Sequence, residues 1–413
     1  MTGPALVAVL LGAAFLASAR RFRRFRQALG LAHLVVTGHA FLVVGAVVGL
    51  AVTDPQLDAM SPLLTPMVAL VAGTLGFSIG MRFHWRVLRV MPFRAAGVAL
   101  LPALGVALIA GVASAGILIS AGLGPVESVA AALITAAAAA ASAPTLAAAI
   151  RRRRGGRSPA ALASLRLVEL SAGLSNMITL GAAVFAFGLM RAGDFSAAAL
   201  GWVLLNVALG LITGVLTWLF LGGRARRDER LLLGVGMIAF TAGLAEWFGL
   251  SPAALCATAG GALVNLPGDR MASMAQAIRR LERPAVVILM TLAGVYAVQD
   301  LHLVILALVG LLTLVRGAAA TSIARRVSGS LAPATGLAAR PDWGKGLIPQ
   351  GSLGLVCALV FRQVWPGDPA EWALAAIAIA SLLNELAAPH VLLPALTPAA
   401  GSADPAPPTA VPT

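Results

Sequence analysis

Cysteine, tyrosine and acidic residues are what this 413-residue chain has least of: two Cys, one Tyr, and 16 Asp and Glu together. Cys256 and Cys357 stand in separate apolar runs with no partner at metal-ligand spacing, so a disulfide scaffold and a zinc cluster are excluded. No nucleophile stands with a base in a catalytic pattern, which leaves no enzyme chemistry and no cofactor to expect. Charge as a whole is scarce, at 11% of residues where a soluble domain carries roughly 25%. What fills the chain is apolar: 59% hydrophobic residues and a mean hydropathy of +0.92. A soluble globule is thereby excluded, and an integral membrane protein follows. The net charge of +14 would suggest nucleic acid in a soluble protein, so the placement of the basic residues must decide what it means.

A bilayer core about 30 Å thick takes roughly 20 apolar residues per helix. Cutting the chain at charge clusters and Pro/Gly turns gives about 13 spans, at 4–19, 31–52, 63–81, 95–121, 127–150, 159–190, 196–222, 231–248, 250–266, 284–299, 301–323, 346–364 and 370–396. Loops after odd-numbered spans hold 26 of the 30 basic residues, in clusters at Arg20–Arg26, Arg82–Arg94, Arg151–Arg157, Arg224–Arg230, Arg270–Arg283 and Arg325–Lys345. Only Arg191 and Arg362 fall on the other side, and Arg166 and Arg316 fall inside spans. The excess positive charge is therefore a topology signal, not a nucleic-acid footprint. It places the N-terminus outside and the C-terminus in the cytoplasm of a bacterial inner (plasma) membrane, with the lipid bilayer as the surrounding partner.

Ala17-Ser18-Ala19 resembles a signal-peptide cleavage site, but no basic segment precedes it and five arginines follow, so a retained first helix is expected. The parts then read as an extra helix and basic loop (1–30), a five-helix unit (31–190), connecting helices (191–249), a second five-helix unit (250–397) and a disordered Ala/Pro tail (398–413). The odd offset inverts the second unit relative to the first. The fold class is thus an all-α membrane protein with inverted five-helix repeats, the architecture of many secondary transporters. The fourth helix of each unit is interrupted, by Ser142-Ala143-Pro144 and by Ile348-Pro349-Gln350-Gly351-Ser352. Proline removes a helix hydrogen bond, and unwound backbone at membrane depth must be buried or line a cavity, so two crossing broken helices are expected to frame a site. The pairs Gly45/Gly49, Gly76/Gly80 and Gly210/Gly214 and the run Ala136–Ala141 permit close helix approach, with a dimer face as one use.

Ionisable side chains inside spans are costly and so are functional candidates. They are Arg166 and Glu169 in the sixth span, Arg316 in the eleventh and Glu385 in the thirteenth, with Glu246 at the end of the eighth. Arg166 can reach the interface along its own stem, and Glu385, beside Asn384, reads as a packing residue. Arg316 is expected to point into the core, with Glu169 as its partner and Gln350 or Asn176 nearby.

The stretch Gly73–Arg82, the stretch from Leu244-Ala245-Glu246 to Ala259, Pro349-Gln350-Gly351 and Leu386-Ala387-Ala388-Pro389 resemble the monovalent cation:proton antiporter (sodium/hydrogen exchanger) superfamily, over roughly residues 35 to 395. The resemblance implies a six-helix transport core (spans four to six and eleven to thirteen) moving against a dimerising panel. It also implies a homodimer, with a monovalent cation and a proton as the exchanged partners. Where the family has Thr-Asp-Pro, Asn-Asp or Asp-Asp, and Arg-Gly, this chain has Ser142-Ala143-Pro144, Ser175-Asn176 and Gln350-Gly351, while the basic residue of the eleventh span is kept as Arg316. The implied core residues are Ser142, Pro144, Glu169, Ser175, Asn176, Arg316, Gln350 and Ser352. Asn176 cannot titrate, although its amide oxygen and the hydroxyls of Ser142 and Ser175 can still coordinate a cation. The acids of the two helices and the arginine are lost together, as charge balance demands. Three readings stay open at this point: an exchanger with a neutralised site, a carrier of an organic or anionic solute on the same fold, and a transport-inactive sensor or partner subunit.

Overall fold

The computed structural model describes residues 12, 34–35, 37–52, 54–90, 93–143, 159–221, 227–267, 271–299, 302–331 and 341–396. The first span apart from residue 12, Pro144, the arginines at 151–157 and the tail at 398–413 lie outside the described residues. Fourteen α-helices are described and, among the described residues, no strand. They are α1 (His39–Gly49), α2 (Asp54–Gly80), α3 (Trp85–Val90), α4 (Phe93–Ser120), α5 (Pro125–Ala140), α6 (Pro159–Ala192) and α7 (Ala197–Leu221). They continue with α8 (Arg227–Phe248), α9 (Pro252–Asn265), α10 (Met271–Ala297), α11 (Leu303–Leu314), α12 (Ala320–Leu331), α13 (Ser352–Val364) and α14 (Asp368–Leu396). Pro125 and Pro252 open α5 and α9, where a missing N–H costs nothing, and the Ser251 side chain caps α9 by accepting from the Ala254 N–H.

Every apolar run from residue 31 onward falls on a helix, and six helices are long and apolar enough to cross a membrane by themselves. One run is broken where the sequence reading has it and another where it does not. The run at 127–150 stops being helical at Ala140, and the run at 301–323 is interrupted by a π-helical turn, Val315–Ala319, between α11 and α12. Leu108, Val112, Leu204, Ile212, Leu232 and Trp247 point outward from α4, α7 and α8, the arrangement a lipid-facing surface needs.

The helices form two groups. In one, α1 lies on α10, and α2 and α7 lie on α9. The glycine pairs are spent on these seams inside the protomer, which corrects the dimer-face reading. A Cβ on Gly45 would sit 1.9 Å from the Thr291 carbonyl oxygen, one on Gly76 1.9 Å from that of Ala253, and one on Gly214 2.6 Å from that of Ala259. The second group holds α4, α5, α6, α11 with α12, α13 and α14. A buried polar contact joins the groups: His39 Nε2 on α1 lies 2.6 Å from Ser381 Oγ on α14.

Candidate functional site

The site lies where α5 ends and α13 begins. Ser142 and Gln350 form an isolated antiparallel bridge there. The Ala143 N–H donates to the Pro349 carbonyl at 3.2 Å, and the Gly351 N–H donates to the Ala141 carbonyl at 3.0 Å. The two broken segments therefore cross in direct backbone contact. Small residues permit this: a Cβ on Gly354 would lie 2.4 Å from Ala138 Cα, and Ala136–Ala141 are all buried. At such a crossing the last carbonyls of α5 and those of Leu347–Pro349, where the 3-10 segment Pro341–Leu347 ends, have no helical partner.

Arg316 supplies the missing donors. It sits in the π turn and is 1% exposed. Its Nε donates to the Ile348 carbonyl at 3.2 Å, one terminal nitrogen donates to the Ala138 (3.5 Å) and Ala139 carbonyls, and the other donates to Leu347 (2.6 Å), Pro349 (2.9 Å) and Ser142 Oγ (3.3 Å). All three nitrogens are engaged, by acceptors from both broken segments. A π turn rotates the following helix against the preceding one, and such turns recur at functional sites. Arg316 points inward as the sequence reading has it, but Glu169 is not among its partners, because buried backbone carbonyls and the Ser142 hydroxyl take every nitrogen. The acid that acts electrostatically on Arg316 is Glu385 on α14. Among the described residues, Arg316 and Glu385 are the buried guanidinium and carboxylate side chains.

The remaining candidates divide around this point. Ser175 Oγ accepts from the Ser142 N–H at 3.3 Å and donates to the Ala172 carbonyl at 2.9 Å, so α6 is fastened to the break. Gln350 Nε2 donates to the Ala138 carbonyl at 3.0 Å, and Gln350 Oε1 accepts from Asn384 Nδ2 at 3.4 Å. Ser352 opens α13 and is half-buried, as is Asn176, whose side chain makes no hydrogen bond to a described residue. Glu169, seven residues before Asn176 on α6, is also half-buried and lies about 10 Å further along the axis at 1.5 Å per residue. Thr179 and Asn384 were not singled out in the sequence. Thr179 donates to the Ala137 carbonyl on α5 at 3.0 Å, and it lies one turn beyond Ser175 on the same face of α6, a spacing that marks it after the fact. A crevice of about 10 Å³, lined by Pro102, Ala103, Ala139, Ser142, Arg316 and Leu347, leaves room for about one water beside the guanidinium.

Two crossed broken helices tied together by a buried basic residue define the class: a helical membrane protein built around interrupted helices. No protein-family model and no curated protein matches the chain. Among solved structures, the chain is similar to the sodium proton antiporter MjNhaP1 from Methanocaldococcus jannaschii, with a TM-score of 0.60 and 16% identity over 96% of this chain and 100% of that one. That likeness is one of fold.

Proposed function

We propose that this protein is a secondary transporter that exchanges a monovalent cation for protons, working as a homodimer in a bacterial inner membrane with its N-terminus outside and its C-terminus in the cytoplasm. The observation that carries the reading is the crossing of α5 and α13 with Arg316 donating to both. It supplies buried, polar, unwound backbone inside the fold, and interrupted helices of this kind are where secondary transporters build their sites. The fold likeness to a sodium proton antiporter over nearly the whole chain supports the same reading, and the segregation of arginines to alternate loops supports the orientation.

The same observation weighs against an anionic solute. An anion would need free guanidinium donors, and here all three nitrogens already serve carbonyls or Ser142. The site on α5, α6 and α13 is neutral at Ser142, Ser175, Asn176 and Gln350, so it departs from an exchanger in which these elements carry the titrating acid. The test is ion flux in proteoliposomes. Addition of Na⁺, K⁺ or Li⁺ to acid-loaded vesicles should release luminal protons for at least one of the three, at a rate above that of protein-free vesicles. A response to none of them would overturn the exchanger reading in favour of a non-transporting role.

A further inference from the structure

We infer that Glu385 is the carboxylate that binds the proton and the cation in turn, standing in the second repeat where Asn176 stands in the first. The inference rests on the exchanger reading and names the group that performs the exchange.

The positions correspond through the crossing. Ser142 and Gln350 are bridge partners and so mark equivalent points on the two broken segments. Ser175, which accepts the Ser142 N–H, follows it by 33 residues, and Asn384, which donates to Gln350, follows it by 34. In each case the next residue is the one at issue, Asn176 or Glu385. Each also stands 17 residues after the first residue of its helix, Pro159 in α6 and Asp368 in α14. The polar pairs Ser175-Asn176 and Asn384-Glu385 thus occupy matching places on the fifth helices of two inverted units. The acid is on the second unit.

Glu385 is fully buried, a placement that is expensive at membrane depth and is retained where a charge is used. The nearby opposite charge is Arg316, held at the crossing by six acceptors, of which the Ala139 and Ile348 carbonyls have no other side-chain donor among the described residues. One carboxylate that takes either a proton or a cation, never both, couples the two flows by competition. His39, bonded to Ser381 one turn before Glu385, is the other ionisable group that reaches this stretch of α14. Of the ionisable groups on the other packed elements, Glu127 stands in the first turn of α5, Arg362 in the last turn of α13, and Asp342 and Lys345 before it, while Glu282 and Arg283 lie midway along α10. Glu282 pairs with Arg82, Arg362 with Glu371, and Asp342 with Arg325 and Lys345.

The decisive variants move the acid. Glu385→Gln should reduce cation-driven proton release to the protein-free baseline, Glu385→Asp should keep it with a shifted pH profile, and Asn176→Asp combined with Glu385→Gln should restore it. A structural role for Glu385 would not be rescued from α6. Wild-type exchange in Glu385→Gln, or baseline activity in both Glu385→Asp and the double variant, overturns the inference while leaving the exchanger reading intact. If the wild-type protein moves no protons with any of the three cations, the exchanger reading falls, and labelling decides about Glu385 separately. A protonated carboxyl adds through its oxygen to the central carbon of a hydrophobic carbodiimide and passes its proton to the nitrogen, so modification of Glu385, read by mass spectrometry, should fall as pH rises and slow when Na⁺, K⁺ or Li⁺ is present. No modification, or modification indifferent to both, overturns it.

Discussion

Ser142 and Gln350 face each other as a single antiparallel bridge between a helix that ends and a helix that begins. The C-terminus of α5 brings partial negative charge to the crossing and the N-terminus of α13 brings partial positive charge. Arg316 sits on the carbonyl side of that dipole pair and takes the carbonyls of Ala138 and Ala139 together with those of Leu347–Pro349. A tethered cation therefore occupies the electronegative end of the crossing. A mobile cation competing with a proton needs a different anchor, and Glu385 is the buried acid within electrostatic range.

The closeness of the crossing makes Gly354 sensitive. With 2.4 Å between a built Cβ and Ala138 Cα, Gly354→Val must push α13 off α5 and break the two backbone bonds of the bridge. We expect Gly354→Val to abolish exchange and lower the thermal unfolding midpoint in detergent. Gly310→Ala is the control: no atom lies within 4 Å of its added methyl, and alanine is the better helix former by about 1 kcal/mol, so its midpoint should hold or rise.

Arg316→Lys tests whether charge alone suffices. Lysine keeps the charge but offers three donors from one point, whereas the guanidinium spreads its donors over carbonyls of two different segments. Each buried carbonyl left unmatched costs about 1–3 kcal/mol. Both Arg316→Lys and Arg316→Ala should therefore unfold below wild type by intrinsic tryptophan fluorescence, the alanine variant further. A lysine variant as stable as wild type would mean that the hydrogen-bond fan contributes nothing beyond its charge.

The hydropathy of the chain made the helices legible, because roughly 20 apolar residues between arginine clusters leave few other parses. The breaks were legible from Pro144 and Pro349 in corresponding positions, and the bridge between Ser142 and Gln350 bears out the crossing. The partner of Arg316 was not legible. Matching charge with charge pointed to Glu169, but the guanidinium is satisfied by backbone carbonyls, which have no signature in a sequence, and Val315-Arg316-Gly317-Ala318-Ala319 carries nothing that announces a π turn. The glycine pairs were legible as contact surfaces, while their partners, Thr291, Ala253 and Ala259, are defined only by the folded arrangement. Glu385 reads as a packing residue in the sequence, and its correspondence with Asn176 becomes visible only when α14 and α6 are compared through the bridge.

The seam between α1 and α10 gives a prediction about assembly of the fold. Gly45 meets the Thr291 carbonyl, and Gly294 meets the Leu42 carbonyl at 2.1 Å from a built Cβ, so the two helices touch backbone to backbone. Overpacking typically costs about 1–3 kcal/mol and more where the obstacle is backbone. Gly294→Leu should give a broadened or aggregated peak by fluorescence-detected size exclusion. Gly116→Leu, on α4 with open space around it, should elute as wild type.

Outside the apolar helices, Asp342 lies in the 3-10 segment Pro341–Leu347 that leads into the carbonyls held by Arg316. Arg325 at 2.8 Å and Lys345 at 3.2 Å hydrogen-bond its carboxylate and hold it below the ordinary carboxylate range. A carboxyl whose folded value is depressed contributes stability when both states are ionised, above the ordinary unfolded value near 3.9. That contribution declines as pH falls below the unfolded value and is gone once pH passes below the folded one. The side chain is 38% exposed, so water and salt screen the pair and the effect is about 1 kcal/mol or less. Asp342→Asn should accordingly unfold slightly below wild type at neutral pH, and the two midpoints should converge as the buffer is acidified through the carboxylate range. High salt should shrink the neutral-pH difference in the same way. A difference between the two proteins that grows on acidification would have the wrong sign for this ion pair and would reject its role in holding the segment.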